Sequence, residues 1–401
     1  MSAKDIRRGG ISRRRFVRDL AKWGAAAGIS PALLHVLTGE SMNLFAQELE
    51  APGLHPTDGK YYETVEDKAV RCHVCARDCL LPEGKTCFCR THMNKGGRLY
   101  ATNFNRACIL QKNAIEIGPF YHFRPGSQVM CVAAPGCMLR CLYCQGKFSQ
   151  SLPTEVPCTV ADAWGVVKRT GGYPAEGPAI DTIMFPGDSI KGAYTEPVAY
   201  HEYMMSIAEE AMKHGIRRVC VSSGYWGPPA LKDAIAVNDA FCITMKGATE
   251  QFYVNVLGVH LKPVMDNLVA IRQSGKWLEG VITIVPGYND DMDLLKEQAK
   301  WLLRALGADT PLHYRRFEPD WKLANLPRTP QKTLQDARRM ALDLGLKYVY
   351  LAGLPGDEGS HTYCPACKKV VIERVGLIVK SHLRENGACS FCGAKVAGVW
   401  S

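Results

Sequence analysis

From residue 129 onward, short apolar runs alternate with amphipathic stretches, and that order leaves few architectures open. Residues 129–134, 180–185, 219–222, 241–245 and 281–285 read as buried strands. Residues 199–214, 261–274, 294–306 and 333–344 repeat apolar side chains at helical spacing. Strand followed by helix, several times over, predicts an α/β fold with parallel strands joined by crossover helices, because a parallel pair needs a long return connection. Periodicity does not say whether such a sheet closes on itself.

The first of these strands runs into Pro135-Gly136, a break, and then into Cys137-Met138-Leu139-Arg140-Cys141-Leu142-Tyr143-Cys144. Three thiolates on one loop can hold three irons of a [4Fe–4S] cube and leave the fourth iron without a protein ligand. That iron could then bind a small chelating molecule. A zinc loop would need a fourth ligand, and structural zinc sites take their cysteines mostly in CxxC pairs. The spacing, and the aromatic Tyr143 before the last cysteine, resemble the radical S-adenosylmethionine (SAM) enzymes. The resemblance implies that SAM chelates the open iron and is reductively cleaved to a 5'-deoxyadenosyl radical.

The chain has 401 residues and 17 cysteines. Two further groups account for most of the others. Cys72, Cys75, Cys79 and Cys89 stand before the three-cysteine loop; Cys364, Cys367, Cys389 and Cys392 stand near the end. Such grouping argues for metal rather than a disulfide framework. The second group, two CxxC knuckles, has the form of a zinc ribbon or rubredoxin-like site; zinc is favoured over iron because a small thiolate ribbon needs its metal to fold. The first could close a zinc site or an auxiliary iron–sulfur cluster. Cys87 is left unassigned. Cys108, Cys131, Cys158, Cys220 and Cys242 read as isolated thiols that behave as small hydrophobes.

The formal charge is +10, but residues 1–46 hold eight basic against three acidic side chains. What remains is too mild and too evenly spread to argue for nucleic acid. Within that segment, Ser12-Arg13-Arg14-Arg15-Phe16-Val17-Arg18 fits the twin-arginine export pattern, with a weakly apolar stretch after it. The expectation is an exported protein, periplasmic or held to a membrane only through an uncleaved signal segment. Residues 47–65 are polar and read as a linker.

A narrower resemblance appears along most of the remaining chain. Cys72-His73-Val74-Cys75-Ala76-Arg77-Asp78-Cys79, Ile117-Gly118-Pro119-Phe120-Tyr121-His122-Phe123-Arg124-Pro125-Gly126-Ser127, the three-cysteine loop with Gln145, Tyr194-Thr195-Glu196-Pro197, Ser223-Gly224-Tyr225, Val285-Pro286-Gly287-Tyr288-Asn289-Asp290 and Tyr363-Cys364-Pro365-Ala366-Cys367 occur in this order. The set resembles the radical SAM component of the AmmeMemoRadiSam system, related to pyruvate formate-lyase activating enzymes. The resemblance implies a partial (β/α)6 barrel at 127–355, a Cys-rich segment at 66–126 and a metal knuckle at 356–401. The loops at the carboxyl ends of the barrel strands would carry the site. Glu196 would accept hydrogen bonds from the SAM ammonium, although an acid beside a helix-starting Pro also suits the helix dipole. Ile243-Thr244-Met245-Lys246-Gly247 fits a family stretch in which Asp stands at the place of Thr244; Lys246 would reach the SAM carboxylate or a substrate acid, or simply stand solvated at a strand end. The implied partners are a protein substrate and a low-potential electron donor. The competing expectation is an exported iron–sulfur protein that only transfers electrons.

Overall fold

A computed structural model describes residues 54–144, 153–171, 180–187 and 195–400. The twin-arginine segment, the rest of residues 1–46, Gln145 and Tyr194 lie outside them.

Eight strands build the central sheet: β1 (Ile109–Ala114), β2 (Gln128–Ala133), β3 (Thr182–Phe185), β4 (Arg217–Ser222), β5 (Ala240–Thr244), β6 (Trp277–Ile284), β7 (Leu312–Arg316) and β8 (Val349–Ala352). They stand side by side in chain order. β1 pairs antiparallel with β2; every later neighbour is parallel. Among the described residues each parallel step contains one helix of two turns or more: α1 (Ala163–Gly171), α2 (His201–Lys213), α3 (Pro228–Val237), α4 (Lys262–Gln273), α5 (Met292–Leu306) and α6 (Gln331–Asp343). The outermost strands β1 and β8 do not pair with each other, so the hydrogen-bond ladder stays open.

The local chemistry explains the helices. In α5 the side chain of Asp291 accepts from the amides of Asp293 and Leu294 and caps the amino end. Leu295, Ala299, Leu302 and Leu306 form its buried stripe. α3 opens on Pro228-Pro229, where a missing N–H costs nothing. Strands β3 to β6 are nearly fully buried, as a parallel sheet covered by helices demands.

The apolar runs at 129–134, 180–185, 219–222, 241–245 and 281–285 fall on β2 to β6, and the four expected helices fall on α2, α4, α5 and α6. Apolar periodicity did not mark β7. Its sequence is Leu312-His313-Tyr314-Arg315-Arg316, and its polar His313 is buried against Glu279 rather than exposed. The short α3 and α1 were likewise missed.

One expectation is corrected. Residues 54–65 are not a free linker: His55–Pro56 pairs with Arg98–Ala101, and Tyr62–Thr64 pairs with Val70–Cys72. Tyr61 is buried and its hydroxyl donates to Asp233 on α3 at 2.7 Å; Thr57 donates to Glu202 on α2 at 2.9 Å. A polar, Pro-bearing composition hid these two contact residues. Residues Pro52–Ser401 form one compact unit. Among the described residues no helix is long and apolar enough to cross a membrane.

Candidate functional site

The parallel strands deliver their carboxyl ends to one side of the sheet, and the loops there share a cavity of about 950 Å3. Cys137, Cys141 and Cys144 come from the loop after β2, Glu196 from the segment after β3, Ser223 from the end of β4 and Lys246 from the end of β5, and all line it. Arg316 and Phe317 follow from β7, and Gly353 from β8. Ligand sites outside the carboxyl ends of an open parallel sheet are a general consequence of this topology.

The cysteine loop is held by its backbone. Arg140 N–H donates to Leu257 and Leu142 N–H to Val256, fixing the loop against the π turn Tyr253–Leu257. Two guanidiniums hold the loop carbonyls. Arg77 donates to Met138 O at 2.6 Å and also to Gly258 O; Arg140 donates to Cys137 O, Leu139 O and Phe88 O at 3.1, 2.8 and 2.6 Å. The Phe88 ring lies between these guanidiniums, 3.6 and 3.9 Å from its centroid. Gly136, immediately before the loop, has φ 122°, and a Cβ there would fall 2.2 Å from the Thr91 methyl; only glycine suits both demands.

The thiols are mostly shielded. Burial is the largest cause holding Cys137 protonated, followed by the negative charge of Glu196 and of Cys141 and Cys144. A thiol in this position becomes a thiolate when a cation neutralises it, which suits a metal-binding donor set. Tyr143 is buried edge-on to Phe317, with centroids 5.9 Å apart.

Glu196 sits at the amino end of the short turn Pro197–Tyr200, beside Pro197, yet its side chain does not cap that turn. Its carboxylate instead accepts from Ser222 Oγ at 2.5 Å and from Ser223 N–H at 3.0 Å. It is 3% exposed and faces the same cavity as the three cysteines. Lys246 is also buried rather than solvated. Its backbone is pinned by Asn289, whose side-chain amide donates to Lys246 O at 2.8 Å and to Thr283 O at 2.9 Å. Thr244 ends β5, fully buried. Glu116 was not singled out by the sequence; it lines the cavity, accepts from Gly126 N–H, and burial raises its carboxyl above the usual range.

The four tail cysteines converge as expected. Cys364 and Cys392 are 3.6 Å apart and Cys367 and Cys389 3.8 Å apart. All four sulfurs lie within 4.8 Å of one another, the only such group among the described residues. Zn–S bonds of about 2.3 Å in a tetrahedron put sulfurs at roughly these separations, so the donor set fits one metal ion.

No protein-family model matches the chain. Among solved structures it is similar to a radical SAM methyltransferase from Sphaerobacter thermophilus, 13% identical, covering 84% of this chain and 88% of that one, with a TM-score of 0.44. It is similar to a domain of a pyruvate-formate lyase-activating enzyme from Bacteroides vulgatus, 15% identical over 42% of this chain and 98% of that one, TM-score 0.36. SuiB from Streptococcus suis, bound to the precursor peptide SuiA, matches at 12% identity over 57% and 49%, TM-score 0.40. The uncharacterized protein MJ0808 of Methanocaldococcus jannaschii is 37% identical over 343 residues, which is 84% of this chain and 98% of that protein. The chain belongs to the same family as that protein.

Proposed function

We propose that this chain is a radical SAM iron–sulfur enzyme of the AmmeMemoRadiSam type, related to pyruvate formate-lyase activating enzymes. The observation that supports this reading is the convergence of three thiols from one loop and the Glu196 carboxylate on one cavity at the carboxyl end of a parallel sheet. Cys137, Cys141 and Cys144 are the ligands of a [4Fe–4S] cluster with one iron open to SAM. Held by these three cysteines, such a cluster would supply the one-electron reduction that splits SAM into methionine and a 5'-deoxyadenosyl radical able to take hydrogen from a partner.

The chain's own residues bind and orient. Ser222 and Ser223 hold the Glu196 carboxylate in place, and a carboxylate can accept further hydrogen bonds from an ammonium beside these two. Lys246, fixed through Asn289, is the cation for the SAM carboxylate or a substrate acid. Burial of both side chains lowers the local dielectric and strengthens each contact. Fixing SAM beside its reductant replaces a chance encounter by a positioned one. A cavity of about 950 Å3 is near the upper end of small-molecule sites. It leaves room for a polypeptide side chain beside SAM, and the proposed substrate is a protein. A low-potential one-electron donor supplies the reducing equivalent, and residues 12–18 route the folded protein through twin-arginine export.

Anaerobically reconstituted protein given SAM and dithionite should release 5'-deoxyadenosine. Glu196→Ala should weaken SAM binding by roughly tenfold or more, the loss of a charge-assisted hydrogen bond, with iron and sulfide content unchanged. A protein with its full cluster and no 5'-deoxyadenosine would instead favour the electron-transfer role. Replacing Arg13 and Arg14 together by lysine should leave the protein in the cytoplasm; continued export excludes that route.

A further inference from the structure

The sequence presents Cys108 and Cys158 as isolated thiols, 50 positions apart. The backbone sets them opposite one another, just ahead of β1. Thr159 pairs antiparallel with Ala107 and Val160 with Arg106, and the amide of Ala161 donates to Asn105 O at 3.0 Å. The same register, continued by one residue, puts Cys158 across from Cys108. Antiparallel pairs alternate in kind. The bond between Ala161 and Asn105 makes theirs a hydrogen-bonded pair, so Cys158 and Cys108 fall on a non-hydrogen-bonded position. Cα atoms at such a position stand about 4.5 Å apart, with both side chains on one face. That separation lies inside the range of about 4.4–6.8 Å that a disulfide spans.

Both strands of this ribbon are anchored. The Cys108 amide donates to Ala133 O, at the end of β2, at 2.9 Å, and its thiol donates to the same oxygen at 3.4 Å. On the other strand, the Tyr203 hydroxyl of α2 donates to Ala161 O at 2.5 Å. Both thiols are free and half-buried in the structure, within reach of a small reagent. Arg106 stands two positions from Cys108 on the same strand, and so on the face that carries both sulfurs. Burial raises the Cys158 thiol, and the Arg106 guanidinium opposes it by favouring the thiolate. Burial also holds Cys108 protonated, and the negative charge of Cys158 is the next cause, as neighbours require.

We propose that Cys108 and Cys158 are a redox modification site, forming a cross-strand disulfide under oxidising conditions. The oxidant is a second disulfide. The Cys158 thiolate attacks one of its sulfurs, forms a mixed disulfide and expels the first thiolate. Cys108 then gives up its proton, attacks the Cys158 sulfur and expels the second. The two thiols lose two electrons and two protons, and the oxidant takes up both and leaves as two thiols. The bond closes a ring that contains β1, β2 and the Cys137, Cys141 and Cys144 loop. Oxidation thereby ties the approach to β1 to the segment that follows the cysteine loop. Nothing in this chemistry uses SAM, so the inference stands apart from the proposed function.

The test uses the full chain. Protein purified under reducing conditions is incubated anaerobically with oxidised glutathione. Remaining thiols are trapped with N-ethylmaleimide, and the digested protein is mapped by mass spectrometry. Expected are a peptide pair joined through Cys108 and Cys158, a loss of two titratable thiols, and a rise of several degrees in melting temperature that dithiothreitol reverses, since a closed ring constrains the unfolded chain. In Cys158→Ser both the link and the rise should vanish. If that variant folds poorly, the map of the wild-type protein decides alone. Recovery of Cys108 and Cys158 as maleimide adducts, as separate glutathione adducts, or joined to other cysteines overturns the proposal.

Discussion

Two of the buried histidines make the molecule less stable in acid. His122 receives burial on every side, its Nδ1 meeting Ala397 O at 2.6 Å and its Nε2 the Tyr350 hydroxyl; desolvation pulls it down to about 4. His201 is fully buried, edge-on to Tyr61 with centroids 4.9 Å apart, and neither ring nitrogen has a hydrogen-bond partner among the described residues; it too falls to about 4, mainly through burial. The unfolded chain protonates these rings near pH 6.5. Between that pH and about 4 the unfolded state therefore binds more protons than the native one, and stability rises with pH. It is complete above the unfolded value and lost as pH falls through the window, by an amount on the order of a few kcal/mol for each ring fully converted. Urea unfolding at pH 7 and pH 5 should show the loss, and His201→Phe should flatten the slope. An unchanged slope in that variant would remove His201 from the account. Spacing and residue type pointed to the Cys137 loop as a donor set, and the family resemblance pointed to Glu196. They could not reveal that Arg77 and Arg140 hold the loop carbonyls, because Arg77 and Met138 lie 61 positions apart.

At the scale of elements, the N-terminal segment and the sheet meet at an approach too close for any side chain. A Cβ on Gly227 would fall 2.0 Å from the backbone carbonyl of His73. The amide of Gly227 donates to Val74 O and that of Ala76 to Tyr225 O. Gly227 has φ −72°, which any residue adopts, so its requirement is space alone. Gly227→Ala must push the Cys72–Cys79 segment away from α3, at a cost of roughly 1–3 kcal/mol for overpacking. Thermal unfolding should register it, while Gly59→Ala, with nothing within 4 Å of its Cβ, should change little. Equal stability of the two variants would show that the segment yields without cost. This junction also explains why the sequence was a partial guide. Apolar periodicity located β2 to β6 and four helices because their sides are buried. It passed over β7, which keeps polar residues inside by pairing His313 with Glu279 at 2.8 Å, and it passed over the 54–65 strands, which are anchored by single side chains.

Across the whole molecule, the tail cysteine group and the cavity are joined through one buried polar network. Glu279 accepts from the backbone amides of Tyr121 and His122 at 3.1 and 2.9 Å. The amide of Val399 donates to His122 O, and that of Arg124 to Val399 O. Arg374 donates to Tyr121 O at 2.7 Å and stacks on the Tyr121 ring at 4.0 Å, and Tyr121 lines the cavity together with Ser360 and Gly376. Beneath this, the tail core is small: Cys364, Val371, Cys389 and Val396 are its fully buried members, beside Tyr348 and Tyr350. So little apolar area cannot hold a hairpin and two knuckles in place without the metal. The expected content is one zinc per chain. Its removal, by a strong chelator or by Cys389→Ser, should cost several kcal/mol and lower the melting temperature. The loss should reach the cavity, since residues 118–126 and Arg374 share their anchors with the tail; SAM binding should weaken while acid-labile sulfide stays constant. A chelated protein that melts at its original temperature, or tail thiols recovered as disulfides, would refute the metal as the organiser of this end.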